Sequence, residues 1–397
     1  MKKIVYFLKY RKVKTIYFSI TILVLMFAFI FSCYELIYLP IFLYLFSILY
    51  DFICFVLSKD VPLLINTPDG YNEPFHPSVL YFEDGWNGYR YWMAYTPFPI
   101  KGIDRPYRDR WECPCVYSSN DGIHFDTPRK SGGAERFVDD LSDKEIKNQD
   151  YFSDPHLVYN ESNDTIELYY RLTNRCKGAP NNEVLNLFKK TSSNGWQWTE
   201  RETLLRSDRN PDIGLVYISP AIIRKHKVYL MWFVSSYESN RTISFAKSYD
   251  MHSFFEIEKC ELIGRYCDPW HIDCFEEDNI YYLLVYEFSD EISIWKSADG
   301  ILFYYEKVVI RHSSKPGCFY HGLYRSCLSK NHFGGYSMYF SSRNRYEVGL
   351  GVAIGNSIER MSVVSGNAKK NLSLFFVDIM DKYFFLLAKI SRKIFKK

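Results

Sequence analysis

No charge of one sign dominates these 397 residues: 49 Lys and Arg stand against 46 Asp and Glu, a net charge of +3. That balance excludes the basic footprint of a nucleic-acid binder, so no nucleic-acid partner is expected. A disulfide framework is also missing. The ten cysteines are scattered, and a chain of this length buries a core without staples. Free, mostly buried thiols follow, which leans toward a reducing compartment. There is no nucleotide-phosphate loop, nucleophile elbow or helical DNA reader. Nor does the chain open with the short apolar core and small-residue cleavage site of a signal peptide.

It opens instead with "MKKIVYFLKYRKVK", six basic residues without an acid, followed by apolar sequence from Ile16 to Leu57. One membrane span needs about 20 residues, and this stretch is about twice that. Glu35, Pro40 and Asp51 interrupt it, and "CYELIYLP" makes a plausible turn. The pattern predicts a transmembrane hairpin, Ile16 to Cys33 and Leu36 to Leu57, with the basic start inside. Two spans return the remainder to the cytoplasmic side, whereas a single tilted span exports it. The segment 366–397 repeats apolar residues at helical spacing and ends in Lys and Arg, a basic amphipathic helix suited to an anionic leaflet or to packing on the main domain.

What the chain has in excess is aromatic side chains, 18% of residues, with 34 Tyr and 31 Phe. Such residues suit half-buried pleated surfaces, so strands are expected. Short polar-headed strands recur: "FHPSVLYF", "YFSDPHLVY", "YISPAIIR", "PWHIDCF" and "LYRSCL". Each is followed by an aromatic strand and, in four copies, by a Ser-x-Asp-Gly-type turn. Meanders repeating every ~50–80 residues fit propeller blades. A β-sandwich has no reason to repeat that turn. The reading is all-β: a five-bladed β-propeller over 61–365, preceded by a membrane anchor over 1–60.

In a propeller the first strand of each blade lines a central funnel. The head residues His76, Asp154, Ser219, His271 and Arg325 then point at one pocket. Period-two alternation turns Ser78, His156, Ala221 and Asp273 the same way. Polar heads on apolar strands are what a solute-binding funnel needs.

Residues 61–365 resemble glycoside hydrolase family 43 and the related arabinanase, levansucrase and invertase propellers. The likeness rests on the repeat order, on "SDP" in the second blade and on the Ser-x-Asp-Gly-x-x-Phe strand ends. It implies a base in a first-blade Asp-Pro-Ser, a tuning Asp in the second blade and a third-blade Glu acid before Gly-Pro. Asp154 matches the tuning Asp. His76 stands where the base belongs, and Ile218 or Ser219 where the acid belongs. His271 resembles a funnel histidine that holds a central water or metal in some members.

Inverting hydrolysis needs one carboxylic acid and one carboxylate about 6.5–9.5 Å apart. Asp154 with Asp273 is the expected pair, and Glu73 or Glu112 a further acid. His76, His156, His271, Ser219 and Arg325 are expected to bind substrate, with Trp86, Trp111 and Trp270 offering flat faces to sugar rings. The cysteines of "CDPWHIDC" face away from His271 and Asp273 on a strand, so no zinc set is read there. No cofactor is assigned beyond a central calcium ion or water near His271 and Asp273.

The expected function is processing of a cell-envelope polysaccharide by a membrane-anchored, glycosidase-like propeller. Departures at the acid and base leave open a non-catalytic glycan-binding propeller that serves a membrane glycan-synthesis enzyme. A protein-interaction propeller is the third reading, and it predicts no converging acids.

Overall fold

The computed structural model describes residues 35–58, 61–98, 112–128, 136–175, 183–207, 218–237, 240–287, 291–311, 322–343 and 348–368. Two compact units are present. In the smaller, helix α1 (Glu35–Leu57) coincides with the second predicted span. From Tyr44 onward it leaves Leu45, Phe46, Leu49, Ile53, Val56 and Leu57 exposed. Among the described residues no helix is long and apolar enough to cross a membrane. The first predicted span and nearly all of the C-terminal helix lie outside the described residues.

The larger unit contains five antiparallel sheets that follow one another along the chain. Blade one is β1 (Pro74–Trp86), β2 (Tyr89–Pro97) and β3 (Cys115–Ser119); Ser118 and Asp126 add a bridge at its edge. After the short helix α2 (Asp143–Asn148), blade two is β4 (Tyr151–Asn160), β5 (Thr165–Arg175), β6 (Glu183–Ser192) and β7 (Glu202–Arg206). Blade three is β8 (Ile218–Lys225), β9 (Val228–Tyr237), β10 (Asn240–Ser248) and β11 (Phe254–Lys259). Blade four has β12 (Glu261–Ile263) parallel to β16 (Leu302–Arg311) outside β13 (Pro269–Glu277), β14 (Ile280–Glu287) and β15 (Glu291–Ser297). Blade five is β17 (Gly322–Lys330), β18 (Tyr336–Arg343), β19 (Val348–Ser357) and β20 (Arg360–Val364).

Strands β1, β4, β8, β13 and β17 touch in a closed ring, so the predicted five-bladed propeller is observed. Its ends are tied together where Leu63 N–H donates to Leu350 O and Gly366 N–H to Val61 O, both at 2.8 Å.

The aromatic excess is explained by the seams. Among the described residues, five apolar clusters each join two neighbouring blades. Trp92 and Phe152 belong to the first–second seam, Tyr169 and Met231 to the next. Trp232 and Leu283 continue the series, then Leu284 and Phe340; Met93 and Tyr339 close the circle. Each fully buried large apolar side chain contributes about 1.5–3 kcal/mol. The blades therefore stabilise one another through side-chain burial rather than through a central core.

The recurring turn serves those seams. Ser119 Oγ accepts the N–H of Asp121 and Gly122, while the Asp121 carboxylate accepts those of Ile123 and His124. Ser192 with Asn194, Ser248 with Asp250 and Ser297 with Asp299 repeat the arrangement. The next residue takes a left-handed backbone, at Gly300 with φ 80°. A Cβ there would lie 2.9 Å from the Trp232 ring, whose Nε1 donates to Gly300 O at 2.7 Å. Glycine is required by both the turn and the aromatic of the neighbouring blade.

Candidate metal centre at the head of the funnel

Each inner strand breaks register at its head: between Phe75 and Ser78, Ser153 and His156, Ile218 and Ala221, Pro269 and His271, and Leu323 and Ser326. In the first three blades the head residue precedes a proline, which has no N–H for the ladder. His76, Asp154 and Ser219 there adopt φ of 52°, 52° and 53°. A left-handed non-glycine residue costs about 1–3 kcal/mol, and such strain concentrates where a side chain must be re-aimed. Here the bulges turn the heads toward the axis.

Three of them converge. One donor atom each from His76, Asp154 and His271 lies within 4.8 Å of the others, all buried. His271 Nδ1 meets Ser219 Oγ at 3.0 Å. Its Nε2 is buried with no hydrogen-bond partner. The same Nδ1 lies 3.4 Å from Asp154 Oδ1. With the ring proton on that nitrogen, Nε2 keeps a bare lone pair, the form in which imidazole binds metal. His76 Nδ1 is engaged likewise, by Thr96 Oγ1 at 2.9 Å, with Glu112 Oε2 at 3.1 Å. Two imidazoles and a carboxylate suit a first-row divalent ion. The donor set of His76, Asp154 and His271 thus fits a metal.

Asp154 is held as an anion. Burial acts to raise its pKa, but His271, Arg171 and Arg325 outweigh burial and keep it well below the ordinary carboxylate range. Arg171 Nη1 lies 2.5 Å away and Arg325 Nη1 3.5 Å. His271 is pushed down to about 4, chiefly by burial and against the pull of Asp154. Glu112 moves the other way, because burial raises its pKa more than His76 lowers it. Its Oε2 shares His76 Nδ1 with Thr96 Oγ1, at 3.1 Å against 2.9 Å.

The residues two places further on form a lower layer that stitches blades together. Ser78 Oγ accepts the Leu157 N–H at 3.0 Å, and Asp273 Oδ2 the Leu328 N–H at 3.2 Å. His156 Nε2 lies 3.0 Å from the Ile222 amide and 2.9 Å from its carbonyl, so either tautomer finds a partner. Asp273 Oδ1 stands 3.7 Å from His156 Nδ1. Burial raises Asp273 to about 7, against Arg325 and the amides it accepts. The structure does not bring Asp273 into the cluster with Asp154, because a two-residue step along a strand displaces it by about 6–7 Å.

Three other expectations need correction or fall outside view. Trp86 sits at the far end of β1 from His76, is 6% exposed, packs in the first–second seam and donates to Asp164; it offers no face to the funnel. The Glu73 carboxylate accepts the Val348 N–H of blade five at 3.3 Å, which places it in ring closure. Trp111 lies outside the described residues. Trp270 does reach the site rim, its ring 5.9 Å from that of His271.

Sequence reasoning passed over Arg171, Thr96 and Tyr324. Arg171 had a signal, a lone cation inside the apolar strand "IELYYRL". Thr96 had none, since its role depends on how β2 pairs with β1.

No family model matches the chain. A curated relative, the A type blood N-acetyl-α-D-galactosamine deacetylase of Flavonifractor plautii, is 28% identical over 109 residues. That match spans 28% of this chain and 13% of the relative's length. The crystal structure of an N-acetylgalactosamine deacetylase from F. plautii, in complex with blood group B trisaccharide, is similar at TM-score 0.56 and 16% identity. It covers 75% of this chain and 94% of that one. RS223-β-xylosidase is similar at TM-score 0.52 and 12% identity, over 78% of this chain and 100% of its own. The fold is a glycoside hydrolase family 43-like five-bladed propeller.

Proposed function

We propose that the protein is a metal-dependent hydrolase that removes an N-acetyl group from a glycan. The observation that carries the reading is the convergence of His76, Asp154 and His271 with the His271 Nε2 unpartnered. The deacetylase activity named for the F. plautii relative points to the same chemistry. A divalent ion in this donor set supplies Lewis-acid polarisation of an acyl oxygen and lowers the pKa of water.

The chain's own residues have assignable tasks. Asp154 stays ionised as a ligand because two guanidinium groups face it. Ser219 and Thr96 orient the imidazoles. Glu112, buried beside His76, takes a proton from the attacking water and returns it to the departing nitrogen. Water adds to the acyl carbon, the C–N bond breaks, and acetate and the amino sugar leave.

Cleavage of a glycosidic bond is less well supported. The position of the family's proton donor falls on Ile218, 8% exposed in the third–fourth seam, or on Ser219, whose hydroxyl meets His271, and neither is a carboxylic acid. The same position favours the second reading, a propeller that binds glycan without turning it over.

The membrane setting belongs to this proposal as well. The apolar stretch 16–57, the exposed apolar side chains of α1 and the basic ends support an anchored protein acting on envelope polysaccharide beside a membrane glycan-synthesis enzyme, with the propeller on the cytoplasmic side. Fractionation of cells expressing the full chain or residues 61–397 tests this, and soluble full-length protein counts against it.

The catalytic test is acetate release from N-acetylhexosamine glycans by protein loaded in turn with zinc, manganese or cobalt. Metal-dependent release, lost on chelation, is expected. Metal-loaded protein that binds these glycans without releasing acetate establishes the second reading instead.

A further inference from the structure

Tyr324 precedes the head of blade five, on β17. Its ring is wedged rather than loose: stacked on Phe75 at 5.1 Å and 22°, edge-on to His271 at 4.2 Å, and 5.5 Å from His76. Tyr286 lies 5.2 Å away on the remaining side. The phenol oxygen accepts the Trp270 Nε1–H at 2.6 Å. That bond occupies a lone pair and leaves the O–H proton to donate, and among the described residues it has no acceptor. Unlike Asp154, His76 and His271, Tyr324 keeps part of its surface open to solvent. A ring of fixed position, beside two of the three converging residues and partly open to solvent, thus carries a hydroxyl with a proton to give at the edge of the candidate metal site.

Resting on the de-N-acetylase reading, we propose that Tyr324 is a catalytic residue: its O–H donates a hydrogen bond to the acyl oxygen as negative charge builds there, with Trp270 as the positioning residue. A preorganised donor aimed at a developing oxyanion, in a site sheltered from water, typically contributes about 10²–10³ in kcat. The ring needs no reorganisation, because its neighbours already determine its angle. Trp270 is itself held from the outside, with the Arg241 guanidinium 5.0 Å over its ring and paired to Asp268.

Tyr324→Phe removes the hydroxyl and keeps the stacked ring. The expected result, in full-length metal-loaded protein, is a kcat lower by about 10²–10³ with KM within about twofold and metal content unchanged. Trp270→Phe, which removes the N–H donor while keeping an aromatic ring, lowers kcat by about tenfold, since the tyrosine remains but is no longer held.

A binding readout stands beside turnover. The N-methylphosphonamidates of glucosamine and galactosamine carry a tetrahedral anionic oxygen where the acyl oxygen would be. Their affinity by calorimetry falls at least tenfold in Tyr324→Phe, while that of the free amino sugars does not change. If the wild type releases acetate and Tyr324→Phe matches it, this assignment is overturned and the de-N-acetylase reading survives. A wild type that neither releases acetate nor binds the phosphonamidates overturns both.

Discussion

Ser219 Oγ and His271 Nδ1 meet at 3.0 Å across the seam between the third and fourth blades. The contact sets which imidazole nitrogen is free, and it links the strained head of one blade to the donor of the next. Removing the hydroxyl in Ser219→Ala leaves the ring without its anchor. Metal affinity is expected to fall about 10–100-fold, the usual cost of losing a partner that orients a ligating histidine. Competition with a fluorescent chelator reads it, and unaltered affinity rules the contact out as an orienting one.

Asp154 stands between two buried guanidinium groups, and the balance of charge predicts stability as well as function. Asp154→Asn leaves Arg171 and Arg325 facing each other across a neutral amide. Taking one partner from a buried ion pair costs about 3–5 kcal/mol. Urea unfolding of the metal-free protein, compared with wild type, isolates this from metal binding. An Arg171→Met, Asp154→Asn double variant should recover part of the loss, because one unpaired charge is gone.

Acid should loosen the first-blade turn in a defined window. Burial acts to raise the Asp121 pKa, but the amides of His124 and Ile123, the His124 ring and the Ser119 hydroxyl lower it from 3.8 to about 2. A folded-state value below the unfolded one means stability that is fully present above 3.8 and lost as pH falls toward 2. Asp121→Asn keeps the acceptor, as Asn194 does in blade two, and removes the titration. The urea midpoint of the variant should therefore change less between those two pH values than that of the wild type.

Turn glycines should separate into two classes. Gly300→Ala places a methyl 2.9 Å from the Trp232 ring at φ 80°, so seam and backbone are both disturbed. Gly334→Ala, at φ 76°, meets nothing within 4 Å and bears the backbone cost alone. That cost is about 1–2 kcal/mol. Thermal melting should show a clearly larger loss at Gly300, and equal losses would mean that the ring simply moves aside.

The architecture and the direction of the head residues were legible in the amino-acid order, because both depend on local rules. Alternation decides which side chains of a strand share a face, and the recurring polar-headed strand, with a Ser-x-Asp-Gly-type turn in four copies, counts the blades. His76, Asp154, Ser219, His271 and Arg325 could accordingly be named as a set facing one axis. Tertiary structure alone decided what happens along that axis and across it. Asp273 faces the same way as His271 yet lies one layer lower, where its carboxylate accepts the Leu328 amide of a neighbouring strand. Glu112 reaches His76 because its N–H is held by the Pro97 carbonyl at the end of β2, beside the head of β1. Trp86 is carried to the opposite end of β1, into a seam. Depth in a funnel and partners from other blades are set by register and closure of the ring, which couple residues far apart in the chain and leave no periodic trace in it.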